Sequence, residues 1–124
     1  MNDNVREWLQ VASYDIDTVH LLIKEKGHAS IIIYHMHQAQ EKLLKALLSL
    51  TEIEVRKSHN IDKLLSELLP HFPTLSSISQ SILSIHAYLP KLRYPYGDEI
   101  VFEEAIGLLT GFENSIEELK SYFK

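Results

Sequence analysis

The chain contains no cysteine. Disulfide staples and thiolate metal centres are thereby excluded, and the composition fits a reducing compartment, here read as the cytoplasm. Glycine and proline are scarce, at four each in 124 residues, which argues against a fibrous repeat and against a disordered low-complexity chain. Positive charge is also short: 12 Lys and Arg stand against 17 Asp and Glu, for a formal charge of −5. A general positive field that would coat nucleic acid is absent, although a local basic cleft stays open. No apolar run reaches the roughly 18 to 20 residues of a membrane span, and MNDNVREWLQ has neither the basic start nor the apolar run of a secretory signal. A glycine-rich phosphate loop and a nucleophile elbow are missing too. What remains is a single soluble domain, residues 1–124, with one core and no membrane association.

Helical periodicity dominates what is present. Leu9, Ala12, Ile16, Val19 and Ile23 recur at steps of three and four, with Asn2 to Asn4 to cap the start and Gly27 to end the helix. A second helix carries Ile32, Met36, Ala39, Leu43, Ala46 and Leu50, and Ile33, Leu44 and Leu47 widen its apolar arc enough for several neighbours. Ser58 or Asn60 can cap a short third helix with Ile61, Leu64, Leu65 and Leu68 inside, before Pro70 and Pro73 interrupt it. A fourth places Leu75, Ile78, Ile82, Ile85 and Leu89 on one side and serines on the others. Pro90 and Pro95 bracket PKLRYP, which proline geometry holds out of regular helix. Asp98 is expected to cap the last helix, whose apolar face runs through Phe102, Ala105, Leu109, Phe112, Ile116, Leu119 and Phe123. Gly107 and Gly111 lower its helix propensity, which points to close approach of another backbone. With no strand signal and no repeat, the pattern predicts an all-α, up-and-down bundle of four to five antiparallel helices.

Several polar residues interrupt this pattern. On a helical wheel Asp15 falls inside the apolar arc, between Leu22 and Trp8, and a buried carboxylate needs a cation or hydrogen bonds. Arg93 is the first choice of partner and Lys42 the second; tying down a loop or a tyrosine hydroxyl is as good a reading as binding a ligand. His35, Gln38, Lys42, Lys45 and Ser49 form one row on the second helix, suited to phosphate or base edges. Spacing alone favours a solvated outer face for that row. His35 and His37 point away from each other on a helix and make no chelate. Asp17 with His20, and His37 with Glu41, have pair spacing but no third ligand, so no metal and no cofactor is expected. Capping or exposure explains His28, His59, His71 and His86 as well as catalysis does. Arg93 and Tyr94 join a guanidinium fork to an aromatic face, either for phosphate and stacking or as a bridge to Asp15 or to a helix C-terminus.

Trp8, Ala12, Asp15-Ile16, Val19 and Leu22, then Gly27, YHMHQAQEKLLKALL at 34–48, SHNIDKLL at 58–65, and Arg93-Tyr94-Pro95 occur in this order over nearly the whole chain. Together they resemble a HEPN domain of the small stand-alone prokaryotic type. The resemblance implies a helical bundle, usually a homodimer, often encoded beside a minimal nucleotidyltransferase in a two-component or toxin–antitoxin pair, and associated with nucleotide binding or RNA cleavage. The RNA-cleaving branch places a histidine after an arginine with four to six residues between. This chain departs from that pattern: from Arg93 those positions hold Asp98, Glu99 and Ile100, Arg56 and His59 stand too close, and no other arginine fits.

The reading is therefore a non-catalytic HEPN protein that binds a nucleotide, a nucleotidyltransferase partner, or both. The ligand-binding candidates carried over are Asp15, Gln38, Lys42, His59, Arg93 and Tyr94, with Lys42 and Arg93 on phosphate, Tyr94 or His59 on the base, and Asp15 orienting Arg93. Two alternatives compete. One is an RNA endonuclease with a non-standard set such as Arg93 and His59, and RNA is not favoured by the acidic chain. The other is a purely structural interaction module that neutralises a partner toxin.

Overall fold

In the computed structural model of the protein the described residues are 2–51, 60–93 and 99–123, the Arg93 side chain excepted. They form α1 (Asp3–Lys24), α2 (Ala29–Leu50), α3 (Ile61–Leu68), a 3-10 turn (Pro73–Ser77), α4 (Ser79–His86), α5 (Leu89–Arg93) and α6 (Phe102–Ser121), and no strand occurs among them. The all-α bundle expected from periodicity is the architecture found. Among the described residues no helix is long and apolar enough to cross a membrane.

The Asn2 side chain caps α1 by accepting from the Val5 amide at 2.9 Å. At the other end the Gly27 amide donates to the Leu22 carbonyl and the Lys26 amide to that of Ile23, the paired bonds of a Schellman motif. The left-handed residue in this motif is Lys26, at φ 55°, not Gly27. Gly27 is there for space, since a Cβ at that position would lie 2.8 Å from Leu22 Cδ2. The reversal sends α2 back along α1, which is its most extensive neighbour.

α2 is the post of the bundle, packed against each of the other five α-helices. Ile32, Ile33, Met36, Leu43, Leu44, Leu47 and Leu48 are all fully or almost fully buried, each contributing roughly 1.5–3 kcal/mol of transfer free energy. Leu50, expected inside, is partly exposed where the helix leaves the core. Asn60 supplies the α3 cap by accepting from the Asp62 and Lys63 amides, and Ile61, Leu64, Leu65 and Leu68 are buried as their spacing predicts.

The single fourth helix expected from Leu75 to Leu89 is broken twice. Pro73 opens the 3-10 turn, and the Ser77 and Ser79 hydroxyls bond back to the Thr74 and Leu75 carbonyls, an alternative that polar short side chains offer the backbone. Further on, Pro90 has no amide to continue α4, yet it fits the first turn of the short helix α5. Leu89–Arg93 is thus helical rather than irregular, which corrects the expectation for PKLRYP over those residues; Tyr94, Pro95 and Asp98 lie outside the described residues. Asp98 is not the cap of α6. That helix starts after Val101, whose amide donates to the Glu104 carboxylate at 3.1 Å while its carbonyl accepts from the Glu104 amide at 3.0 Å.

Polar bonds fasten α6 to the rest. The buried Gln40 amide donates to Ser115 Oγ at 2.9 Å, and that hydroxyl donates to the Phe112 carbonyl at 2.7 Å. His20 on α1 meets Glu113 at 2.6 Å. Tyr88 donates to Glu104, and burial together with that carboxylate raises its pKa; burial likewise raises that of Tyr122, which bonds to Glu118 and Thr74. Gly111 does accommodate a close neighbour, since an added Cβ would stand 2.8 Å from Ser81 Oγ on α4. Gly107 does not, for nothing among the described residues lies within 4 Å of a Cβ there. Two substitutions are accordingly expected to raise stability. Lys26→Gly relieves the left-handed strain and should gain about 0.5–1 kcal/mol, and Gly107→Ala should gain about 1 kcal/mol of helix propensity. Urea melts check both, and a loss of stability in either variant contradicts the backbone geometry at that position.

Candidate functional site

Asp15 sits on the edge of the apolar arc of α1, with its side chain 8% exposed. A carboxylate that far out of water must be compensated. Lys42 Nζ reaches Oδ2 at 2.6 Å and His35 Nδ1 reaches Oδ1 at 2.7 Å, both from α2. Each carboxylate oxygen thus has its own donor. The lysine and imidazole side chains keep 25% and 30% of their surface in solvent, so the cluster is closed inward and open at its rim.

The rest of the α2 row is less solvated than its spacing suggests. Lys45 and Ser49 are buried; Lys45 Nζ stands 3.8 Å from Glu41 Oε1 and 5.2 Å from the centre of the Trp8 ring. The expected solvated outer face is therefore replaced by a semi-buried polar seam, because α1 covers one side of the row. Gln38, at the edge of the row, lines an open cleft of about 1050 Å³ between α2, α4 and α5. Tyr34, His37 and Glu41 line that cleft from α2, His86 from α4, and Leu89, Pro90 and Leu92 from α5. The His37 and His86 rings are 5.2 Å apart and 32° from parallel, and His86 Nδ1 is buried without a hydrogen-bond partner among the described residues. Such a nitrogen carries a desolvation cost that a ligand's polar group would remove. No group of three or more His, Asp or Glu that could hold a metal ion occurs among the described residues.

A family model described as the HEPN domain matches residues 5–122. The chain belongs to the HEPN family. Comparison with curated proteins and with solved structures found no match.

Of the six candidate residues, the HEPN fold brings Asp15 and Lys42 into direct contact and places Gln38 one helical step away, in the cleft wall. His59, Tyr94 and the Arg93 side chain lie outside the described residues, so Arg93 is not seen as the partner of Asp15. The partners that Asp15 has among the described residues are Lys42, the second choice, and His35. Sequence reasoning misses His35 as a site residue, and likewise His37, Glu41 and His86. His86, the last residue of α4, packs on His37 in the cleft wall. Hairpin arithmetic would have found His35: folding the chain about residues 25–28 sets Asp15 opposite residue 38, and His35 and Lys42 are the neighbours of 38 on the same face.

Removing one half of a closed ion pair exposes its other half to an unfavourable medium. Lys42 can extend to water, whereas Asp15 cannot. Lys42→Met should therefore destabilise by about 3 kcal/mol and Asp15→Asn by only about 1 kcal/mol, as read from denaturant midpoints. Equal costs, or the reverse order, would show that the carboxylate does not depend on Lys42 for its compensation.

Proposed function

We propose that this HEPN protein is a non-catalytic binding component that works as a homodimer and engages a nucleotide, a minimal nucleotidyltransferase partner, or both, through the α2 face and the cleft beside it. The observation that carries this reading is the cleft. It joins apolar walls from α5 to polar groups from α2 and to a His86 nitrogen that has no hydrogen-bond partner among the described residues, the mixture by which small-molecule sites hold a ring and fix its orientation. Lys42 takes a different part from the one expected of it. Its charge is turned inward onto Asp15, so it positions the carboxylate instead of meeting phosphate, and a phosphate contact falls to Arg93.

The non-catalytic half rests on the sequence, in which the positions after Arg93 that would hold the general acid–base histidine carry Asp98, Glu99 and Ile100. Purified protein incubated with RNA should leave it intact; cleavage that disappears in both the His59→Ala and Arg93→Ala variants would replace this reading with the endonuclease one.

The binding half is tested by calorimetric titration with ribonucleoside triphosphates and by co-purification with a tagged minimal nucleotidyltransferase. Gln38→Ala, which touches no core residue of the ion cluster, should weaken nucleotide binding about 10-fold at an unchanged melting temperature. If neither nucleotide nor nucleotidyltransferase binds, the proposal is lost. Co-purification alone leaves the protein as the partner-binding module.

A further inference from the structure

The two long helices leave one side of their hairpin bare. His20 on α1 meets Glu113, so α6 lies along one flank of α1. The Asp15 cluster marks the opposite flank, where Lys42 and His35 stand partly in solvent. From Asp15 the α1 surface turns outward through Thr18 to Tyr14 and Leu21, and from His35 the α2 surface turns outward through Ile31 and Gln38 to Tyr34. In an antiparallel pair these two sweeps, which run in the same rotational sense, lie on one side. Along it Tyr14, Leu21, Ile31 and Tyr34 are 57%, 59%, 47% and 41% exposed. Large apolar side chains grouped in water among polar neighbours mark a surface that another molecule covers.

We infer that a second copy of this chain docks on this side of the α1–α2 hairpin, face to face about a two-fold axis; the inference rests on the homodimer reading proposed above and adds the surface that makes it. The size of the side suits a dimer. Each helix has 22 residues, so the side is about 33 Å long and about 20 Å wide. That is roughly 660 Å² in flat projection and more in accessible surface, against the ~800 Å² per partner of a standard interface. Charge selects the same side. In a chain of formal charge −5, two copies repel wherever carboxylates outnumber cations. Such a place is α6, which carries Glu103, Glu104, Glu113, Glu117 and Glu118 against Lys120 alone. The charges at the centre of the hairpin side, Asp15 and Lys42, cancel each other. A nucleic acid would need an excess of cations there, whereas an identical neutral face does not. By symmetry the apolar residues of one copy cover those of the other, with Thr18, His35 and Gln38 among them as hydrogen-bonding groups. Ile31, Tyr34 and Gln38 also line the cleft, so the docked copy adjoins the candidate site.

The test is sedimentation velocity of the full chain at micromolar concentration. Wild type should sediment at twice the 14.3 kDa chain mass. Leu21→Glu and Ile31→Glu each place an unpaired charge in the interface twice by symmetry, and each should weaken association at least about 100-fold, leaving the monomer. Ile106→Glu, at an exposed apolar position of α6, should remain a dimer. Circular dichroism melts establish that the variants fold, which the exposure of Leu21 and Ile31 favours. A dimer that withstands both folded hairpin variants, or one that Ile106→Glu dissociates in their place, would overturn this surface while leaving the homodimer reading intact. A wild-type monomer removes the homodimer reading and this inference with it. If that monomer captures a tagged minimal nucleotidyltransferase and Leu21→Glu does not, the side belongs to that partner instead.

Discussion

Everything in this bundle follows from the enclosure of α2. A helix covered over most of its length by other helices has little water in which to leave its polar groups, so most of them are matched by a group from a neighbouring element or from its own next turn. The consequence is visible along its length. Lys42 and His35 converge on Asp15 of α1, Gln40 takes Ser115 of α6, and Lys45 lies by Glu41 and over the Trp8 ring. The apolar surface provides most of the driving force, while these matches decide which neighbour stands where, because an apolar contact alone tolerates rotation and a 2.6 Å ion pair does not.

The same enclosure explains what can be read from sequence. The apolar positions of α1, α2 and α3 follow from periodicity because those helices carry uninterrupted patterns and good caps. The segment from Leu75 to Leu92 reads less well. Its apolar spacing is continuous, but serine hydroxyls and the missing amide of Pro90 break the hydrogen-bond ladder at points that the spacing does not mark. Hydrophobic pattern reports which side faces inward; it does not report whether the backbone bonds run through.

The site is legible in the same uneven way. A carboxylate inside an apolar arc announces that Asp15 has a partner, and Lys42 is one of the two cations that the sequence offers for it. Choosing among the partners requires the offset between α1 and α2, which is set by the residues at 25–27 and by the left-handed turn at Lys26. Here the usual signal misleads, because a lysine stands where glycine is expected and the glycine comes one place later. His86 is still harder to find. It stands at the end of α4, in the cleft wall beside His37, a contact between separate helices that no pattern within one helix marks.

The closeness of Asp15 to its partners also has a kinetic meaning. His35 and Lys42 lie only 20 and 27 residues along the chain, so the loop that must close to bring them together is short, and its entropy cost is correspondingly modest. Moving one helix along the other by a single turn, roughly 5.4 Å, would part all three groups. The cluster therefore pins the register of the α1–α2 hairpin through contacts close in sequence.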